Sequence, residues 1–142
     1  MLDFGKLYPG WMDAGSTHTI DGDISFKCTK GTHYTLSFDQ GQNADGQLRN
    51  LVRLADETDV HEYGPEMTTI PYWLINGSND NEANDDTDEL GDGNPYGAAH
   101  TGYGLGLSTE DTLNVIATLY EDDLADVVPG KYKDTVTVKL TF

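Results

Sequence analysis

The sequence predicts an all-β sandwich, with its 142 residues folded as one domain. Three observations predict it. Apolar and polar residues alternate with period two in several separate stretches, Gly, Pro, Asn and Asp punctuate the gaps, and patterns of helical period are scarce. Hydrophobic residues make up 37% of the chain, which suits sheets with one solvated face each better than a helical bundle. The length suffices for a real core, and neither an internal repeat nor a domain boundary interrupts residues 1–142.

Along the chain, Ile24-Ser-Phe-Lys-Cys28 alternates, with Ile24, Phe26 and Cys28 on one face. Thr29-Lys-Gly-Thr32 reads as a glycine-containing turn, and Tyr34, Leu36 and Phe38 then resume the alternation, a pattern that predicts a hairpin. Residues 39–46 form a polar loop, and Leu48 to Val52 is a short apolar patch interrupted by Arg49 and Asn50. Thr69-Ile-Pro-Tyr-Trp-Leu-Ile75 is a further strand, in which Pro71 must sit at an edge or among the first residues. Asn76 to Asn94, rich in Asn, Asp, Glu and Gly, predicts a long exposed loop. Leu113 to Tyr120 is apolar on both faces in places, as a central strand would be. Ser108 and Asp111 could cap a helix over Thr109–Ile116, but the β-branched residues that follow favour strand. Pro129-Gly130 is a turn before the final element.

That final element, Asp134-Thr-Val-Thr-Val-Lys-Leu-Thr-Phe142, alternates without a break. Val136, Val138, Leu140 and Phe142 fall on one face, and Thr135, Thr137, Lys139 and Thr141 on the other. The sequence as given stops there, with nothing to turn back over the strand's free edge. Such an edge invites pairing with another chain, so it is expected either to be blunted or to be used for pairing. Burying four such apolar side chains is worth roughly 6–12 kcal/mol at about 1.5–3 kcal/mol each. A whole domain has a net stability of about 5–15 kcal/mol, so a partner strand is expected to decide whether the fold stands.

Eight Lys and Arg against twenty-five Asp and Glu give a formal charge of −17. Phosphate contacts need the opposite sign, which excludes nucleic acid as a partner, and an anionic membrane surface is excluded on the same ground. The acidic excess fits a self-repelling soluble surface, saline surroundings, or calcium sites. No run of eighteen apolar residues exists, so no membrane insertion is expected. The opening Met-Leu-Asp-Phe-Gly-Lys has neither the basic nor the apolar region of a signal peptide, so the sequence is read as cytosolic or as a mature or trimmed form. The one cysteine, Cys28, forbids an intrachain disulfide and falls on an apolar face.

No catalytic constellation appears, and the chain is expected not to be an enzyme and to need no cofactor. His18, His33, His61 and His100 stand far apart, without ligand spacing or a second soft ligand for zinc. Gly102, Gly104 and Gly106 imitate part of a dinucleotide fingerprint, but the preceding strand and following helix are lacking, so they read as a flexible turn before a strand. Asp86, Asp88 and Asp92 are candidate calcium ligands, although an EF-hand register from Asp88 fails at Leu90 and Ala99. Tyr8, Trp11, Tyr72, Trp73, Tyr96 and Tyr103 could offer stacking platforms, with Trp11 and Trp73 the candidate glycan contacts.

Several segments, in order, carry a resemblance: Leu2-Asp-Phe-Gly-Lys-Leu-Tyr-Pro9, Gly22-Asp-Ile-Ser-Phe-Lys-Cys-Thr29, Gly31-Thr-His-Tyr-Thr-Leu-Ser-Phe-Asp-Gln-Gly41, Leu48-Arg-Asn50, Pro71-Tyr-Trp-Leu-Ile75, Glu89-Leu-Gly-Asp-Gly93 and Pro129 to Phe142. Over essentially its whole length the chain resembles the spore coat protein U domain family, which includes subunits of archaic (Csu-type) chaperone–usher pili. The resemblance implies an incomplete immunoglobulin-like β-sandwich that lacks its last strand and is completed by a donor strand from another chain. It implies a groove walled by Val136, Val138, Leu140 and Phe142, with an opening strand around Leu2 and Phe4 as the other wall. It also implies identical or related subunits as polymer partners, a periplasmic chaperone and an outer-membrane usher during assembly, and a secreted, cell-surface location. Family members carry a donor segment ahead of the opening strand and a cysteine there that pairs with the position of Cys28. Neither occurs in this sequence; a trimmed extension would explain both absences at once, and a different donor or a domain that completes itself would also fit. The function expected is therefore a structural subunit of an extracellular fibre or coat. The alternative is a β-sandwich binding module, a tip adhesin or lectin-like domain that could depend on calcium.

Overall fold

The computed structural model describes residues 1–10, 12–46, 48–55, 62–79, 89–93 and 97–142. The strands are β1 (Thr17–Phe26), β2 (His33–Phe38), β3 (Arg49–Arg53), β4 (Thr69–Asn76), β5 (His100–Tyr103), β6 (Asp111–Tyr120), β7 (Tyr132–Lys133) and β8 (Val138–Thr141). Among the described residues helix is confined to short 3-10 turns, and no helix is long and apolar enough to cross a membrane. The strands build two antiparallel sheets, one of order β1-β6-β4-β3-β7 and one of order β5-β2-β8.

Alternation decides which side chains meet between the sheets. Leu113, Val115, Ala117 and Leu119 of β6 and Ile70, Tyr72 and Leu74 of β4 face Leu36 and Phe38 of β2 across one core. β6 pairs with β1 from Asp111 to Tyr120 and with β4 from Val115 to Thr118, the central place its apolar run predicts. Pro71 is tolerated in β4 because the ladder to β6 begins at Trp73. The first residues of β4 pair with β3 alone.

Four expectations need correction. Ile24–Cys28 and Tyr34–Phe38 do not form a hairpin, because β1 pairs with β6 and β2 pairs with β5 and β8. The turn at residues 27–32 crosses between the sheets, and Phe26 and Tyr34 meet edge to face inside, with centroids 4.8 Å apart. The stretch from Asn76 to Asn94 is not all exposed loop. Leu90 is buried and Glu89 and Leu90 form bridges to Ile75 and Ala98, while residues 80–88 and 94 lie outside the described residues. Gly102 belongs to β5 rather than to a flexible turn. A Cβ there would meet the Tyr34 ring and one at Gly104 would meet Thr29 and Cys28, so these glycines serve close approach. Finally, the terminal alternating stretch Asp134–Phe142 is regular strand only from Val138 to Thr141, while β7, just before it, belongs to the larger sheet.

Candidate functional site: the open edge of β8

β8 lies at the edge of the three-stranded sheet. Its register with β2 runs from Phe38↔Val138 to Thr35↔Thr141, and no strand pairs with its other side among the described residues. The Asp39 N–H donates to the Thr137 carbonyl at 3.1 Å, and the Gln42 N–H donates to the Thr135 carbonyl at 3.0 Å. In an antiparallel ladder a residue's N–H and C=O point to the same side, and alternate residues point to opposite sides. The odd-numbered residues from Thr135 to Thr141 therefore turn their amides toward β2. Val136, Val138, Leu140 and Phe142 turn theirs toward the open edge.

The same even-numbered residues carry the apolar side chains. Val136 and Leu140 are half-buried and pack on the core, whereas Val138 is 38% and Phe142 83% exposed. Apolar surface and unpaired backbone thus coincide on one strand, which is the arrangement an added strand satisfies. Since Val136 and Leu140 already touch the core, most of the remaining gain rests with Val138 and Phe142, at most about 3–6 kcal/mol.

Polar residues fix where this strand begins. Asp134 sits where the chain leaves β7 for the smaller sheet. Its Oδ1 accepts from the Gln42 N–H (3.0 Å), the Asn43 N–H (3.2 Å) and the Asn43 side-chain amide (2.9 Å), and its Oδ2 accepts from the Tyr72 hydroxyl (2.6 Å). Burial, then the Asp134 hydrogen bond and charge, push the Tyr72 phenol far above its ordinary value. Gly41, at φ +81°, leaves room for the Asp134 carboxylate that a Cβ would fill. One turn away, Asp39 Oδ1 accepts from the N–H groups of Thr137 (2.9 Å) and Gly41 (2.9 Å). Burial works to raise the Asp39 pKa, but the backbone hydrogen bonds from Thr137 and Gly41 outweigh it and hold this carboxyl below its usual value.

Arg49 locks these parts together. It is 1% exposed, and it donates to the carbonyls of Asp39 (3.0 and 2.7 Å) and Leu90 (2.9 Å), with Glu89 at 3.7 Å. Burial lowers its pKa, opposed by the surrounding acidic groups. In the sequence Arg49 stands as an interruption of a short apolar patch and within the Leu48-Arg-Asn50 resemblance, and nothing there groups it with Asp39, Tyr72 and Asp134. The one local signal was a cation inside a short apolar strand, which in a core needs several acceptors.

Residues 1–8 form no regular strand, so the expected opening strand is absent from them. Phe4 is half-buried against the core. Leu2, 37% exposed, lies over β1, where a Cβ on Gly22 would come within 2.6 Å of its Cδ2. Glu121 accepts from the Gly10 N–H and the His18 ring at 2.5 Å each and so ties the end of this segment to β1; the His18 hydrogen bond is the chief cause of its lowered pKa.

The other candidates are not gathered into a site. Trp11, Asp86 and Asp88 lie outside the described residues, and Asp92 is exposed. Among the described residues no group of three or more His, Cys, Asp or Glu could hold a metal ion. Trp73 is half-buried on the outer face of β4, edge to face with Tyr120 at 5.1 Å, while Tyr72 belongs to the core. Cys28 is buried, as its place on an apolar face requires.

Comparison with known proteins adds to this geometry. The family model of the Spore Coat Protein U domain matches residues 1–139. No curated protein matches the sequence. Among solved structures, the chain is similar to the crystal structure of the CsuC–CsuE chaperone–tip adhesion subunit pre-assembly complex from archaic chaperone–usher Csu pili of Acinetobacter baumannii. The TM-score is 0.53 and the identity 20%, covering 87% of this chain and 34% of that one, so the chain spans about a third of that chain's length. It is also similar to the P pilus rod subunit PapA, with TM-score 0.57 and 17% identity over 99% of this chain and 90% of that one. At these identities the likeness is one of fold: an immunoglobulin-like arrangement of two β-sheets.

Proposed function

As the chain belongs to the Spore Coat Protein U domain family, we propose that it is a structural, non-enzymatic subunit of an extracellular fibre or coat, assembled by donor-strand complementation at the open edge of β8. The partner is a strand from an identical or related subunit. A periplasmic chaperone covers the edge before assembly and an outer-membrane usher hands the subunit on, so that the fibre reaches the cell surface through the periplasm. The observation that carries the reading is the coincidence, on Val136 to Phe142, of unpaired backbone and uncovered apolar side chains.

Leu2 and Phe4 are the second wall in this reading. They lie over β1 and the core rather than in a strand of their own, so the incoming strand would run between β8 and the segment that holds them. The test is a thermal melt of residues 1–142, alone and with an added peptide of alternating apolar residues. The chain alone should melt low or self-associate, and the peptide should raise the melting temperature as its concentration rises. A cooperatively folded, high-melting monomer that ignores the peptide would overturn the reading.

A further inference from the structure

A strand docked on β8 presents its inward side chains to Val138 and Phe142 and its outward ones beside Thr137, Lys139 and Thr141. The outward strip is unusual for this molecule. The strands of the smaller sheet, His33–Phe38, His100–Tyr103 and Val138–Thr141, contain no Asp or Glu, although the chain carries twenty-five. Lys139 is exposed there, opposite Ser37, with Thr35 and Thr141 as neighbours along the outer face. Its cross-strand neighbours within β2 therefore carry hydroxyls, with room for one more strand beside Lys139. The nearest carboxylate in register, Asp39 opposite Thr137, already accepts from the Thr137 and Gly41 N–H groups.

Resting on the donor-strand reading, we propose that the strand completing this edge carries a carboxylate at the outward position beside Lys139, and that Lys139 thereby selects both the partner and its register. Apolar side chains alone specify register weakly, because a slip of two residues returns the same face to the core. One charged pair breaks that degeneracy. An opposite-charge pair across neighbouring strands is favourable and a like-charge pair unfavourable.

The long-range field makes the test discriminating. A chain of charge −17 attracts a Lys-bearing peptide over a Glu-bearing one wherever the charge is placed. Peptides of about ten residues, with alternating Val and Thr and one outward Thr replaced in turn by Glu or Lys, would be titrated against the full chain by fluorescence anisotropy. At one outward position Glu should bind about 1.5- to 5-fold tighter than Thr, and Lys weaker than Thr, whereas at the others Lys should be favoured. Lys139→Glu should invert the preference at that position, Lys139→Gln should abolish it, and about 1 M salt, with a Debye length of about 3 Å, should flatten it. Binding of every peptide with Lys favoured throughout, or with no preference, would overturn the role of Lys139 and leave the donor-strand reading standing. Binding of none would overturn both.

Discussion

β1 and β8 are both edge strands with the same alternation of apolar and polar residues, and neither has a second partner strand among the described residues, yet one is defended and the other is not. On β1, Ile20, Ile24 and Phe26 pack on the core, and the gap at Gly22 is covered by Leu2. Its outer face carries Asp21 and Asp23, both engaged by the Asn114 amide (3.3 and 2.9 Å). On β8, Val138 and Phe142 stay exposed and the outer face carries threonines and one lysine. Alternation thus makes a strand. Carboxylates and a covering side chain decide whether its edge is defended against another chain.

The comparison breaks most sharply under a buried charge. Ile24→Asp should cost the domain about 3 kcal/mol or more in urea denaturation, because Ile24 packs on the core without a partner for a carboxylate. Val138→Asp should leave the lone chain nearly unchanged, since Val138 is 38% exposed, and should weaken strand-peptide binding by about a hundredfold. Equal effects of the two on the lone chain would erase the distinction between the edges.

The next effect concerns how β8 is held. Arg49→Ala strands the carbonyls of Asp39 and Leu90, and should lower unfolding free energy by about 2–4 kcal/mol. Tyr72→Phe removes the bond to Asp134 and should cost about 1–2 kcal/mol. The Tyr72 pKa is raised on folding, so its contribution is whole below about pH 10 and is lost as pH rises beyond it; the variant's alkaline limb should be flatter. Smallest is Asp39→Asn. The Asp39 pKa is depressed on folding, so its contribution is present above about pH 4 and lost as pH falls through the folded value. The variant should be slightly weaker at neutral pH and less acid-sensitive, as read by pH-dependent melts.

Much of the fold was legible because period-two alternation is a local property: β2, β4 and β8 largely coincide with stretches it marks and β6 with the apolar run Leu113–Tyr120, whereas of β1 only Ile24–Phe26 falls in a marked stretch. Partner choice was not. The short turn at residues 27–32 looks like a hairpin turn, yet Phe26 and Tyr34 satisfy each other better across the core than side by side. The apolar face of the candidate site was readable from Val136 to Phe142. The clamp of Asp39, Arg49, Tyr72 and Asp134 was not, because its members are brought together only by the closing of the two sheets. Nor could alternation say which edge would be covered, since Leu2 reaches Gly22 through tertiary packing.

Amide hydrogen exchange along residues 135–142 tests the open edge most directly. In the free chain the N–H groups of Thr137, Lys139 and Thr141 should be protected, and those of Val136, Val138, Leu140 and Phe142 should exchange quickly. A bound alternating peptide should slow this second set and leave the first as it was. Even-numbered amides already protected in the free chain, or still exchanging quickly with the peptide bound, would contradict the account.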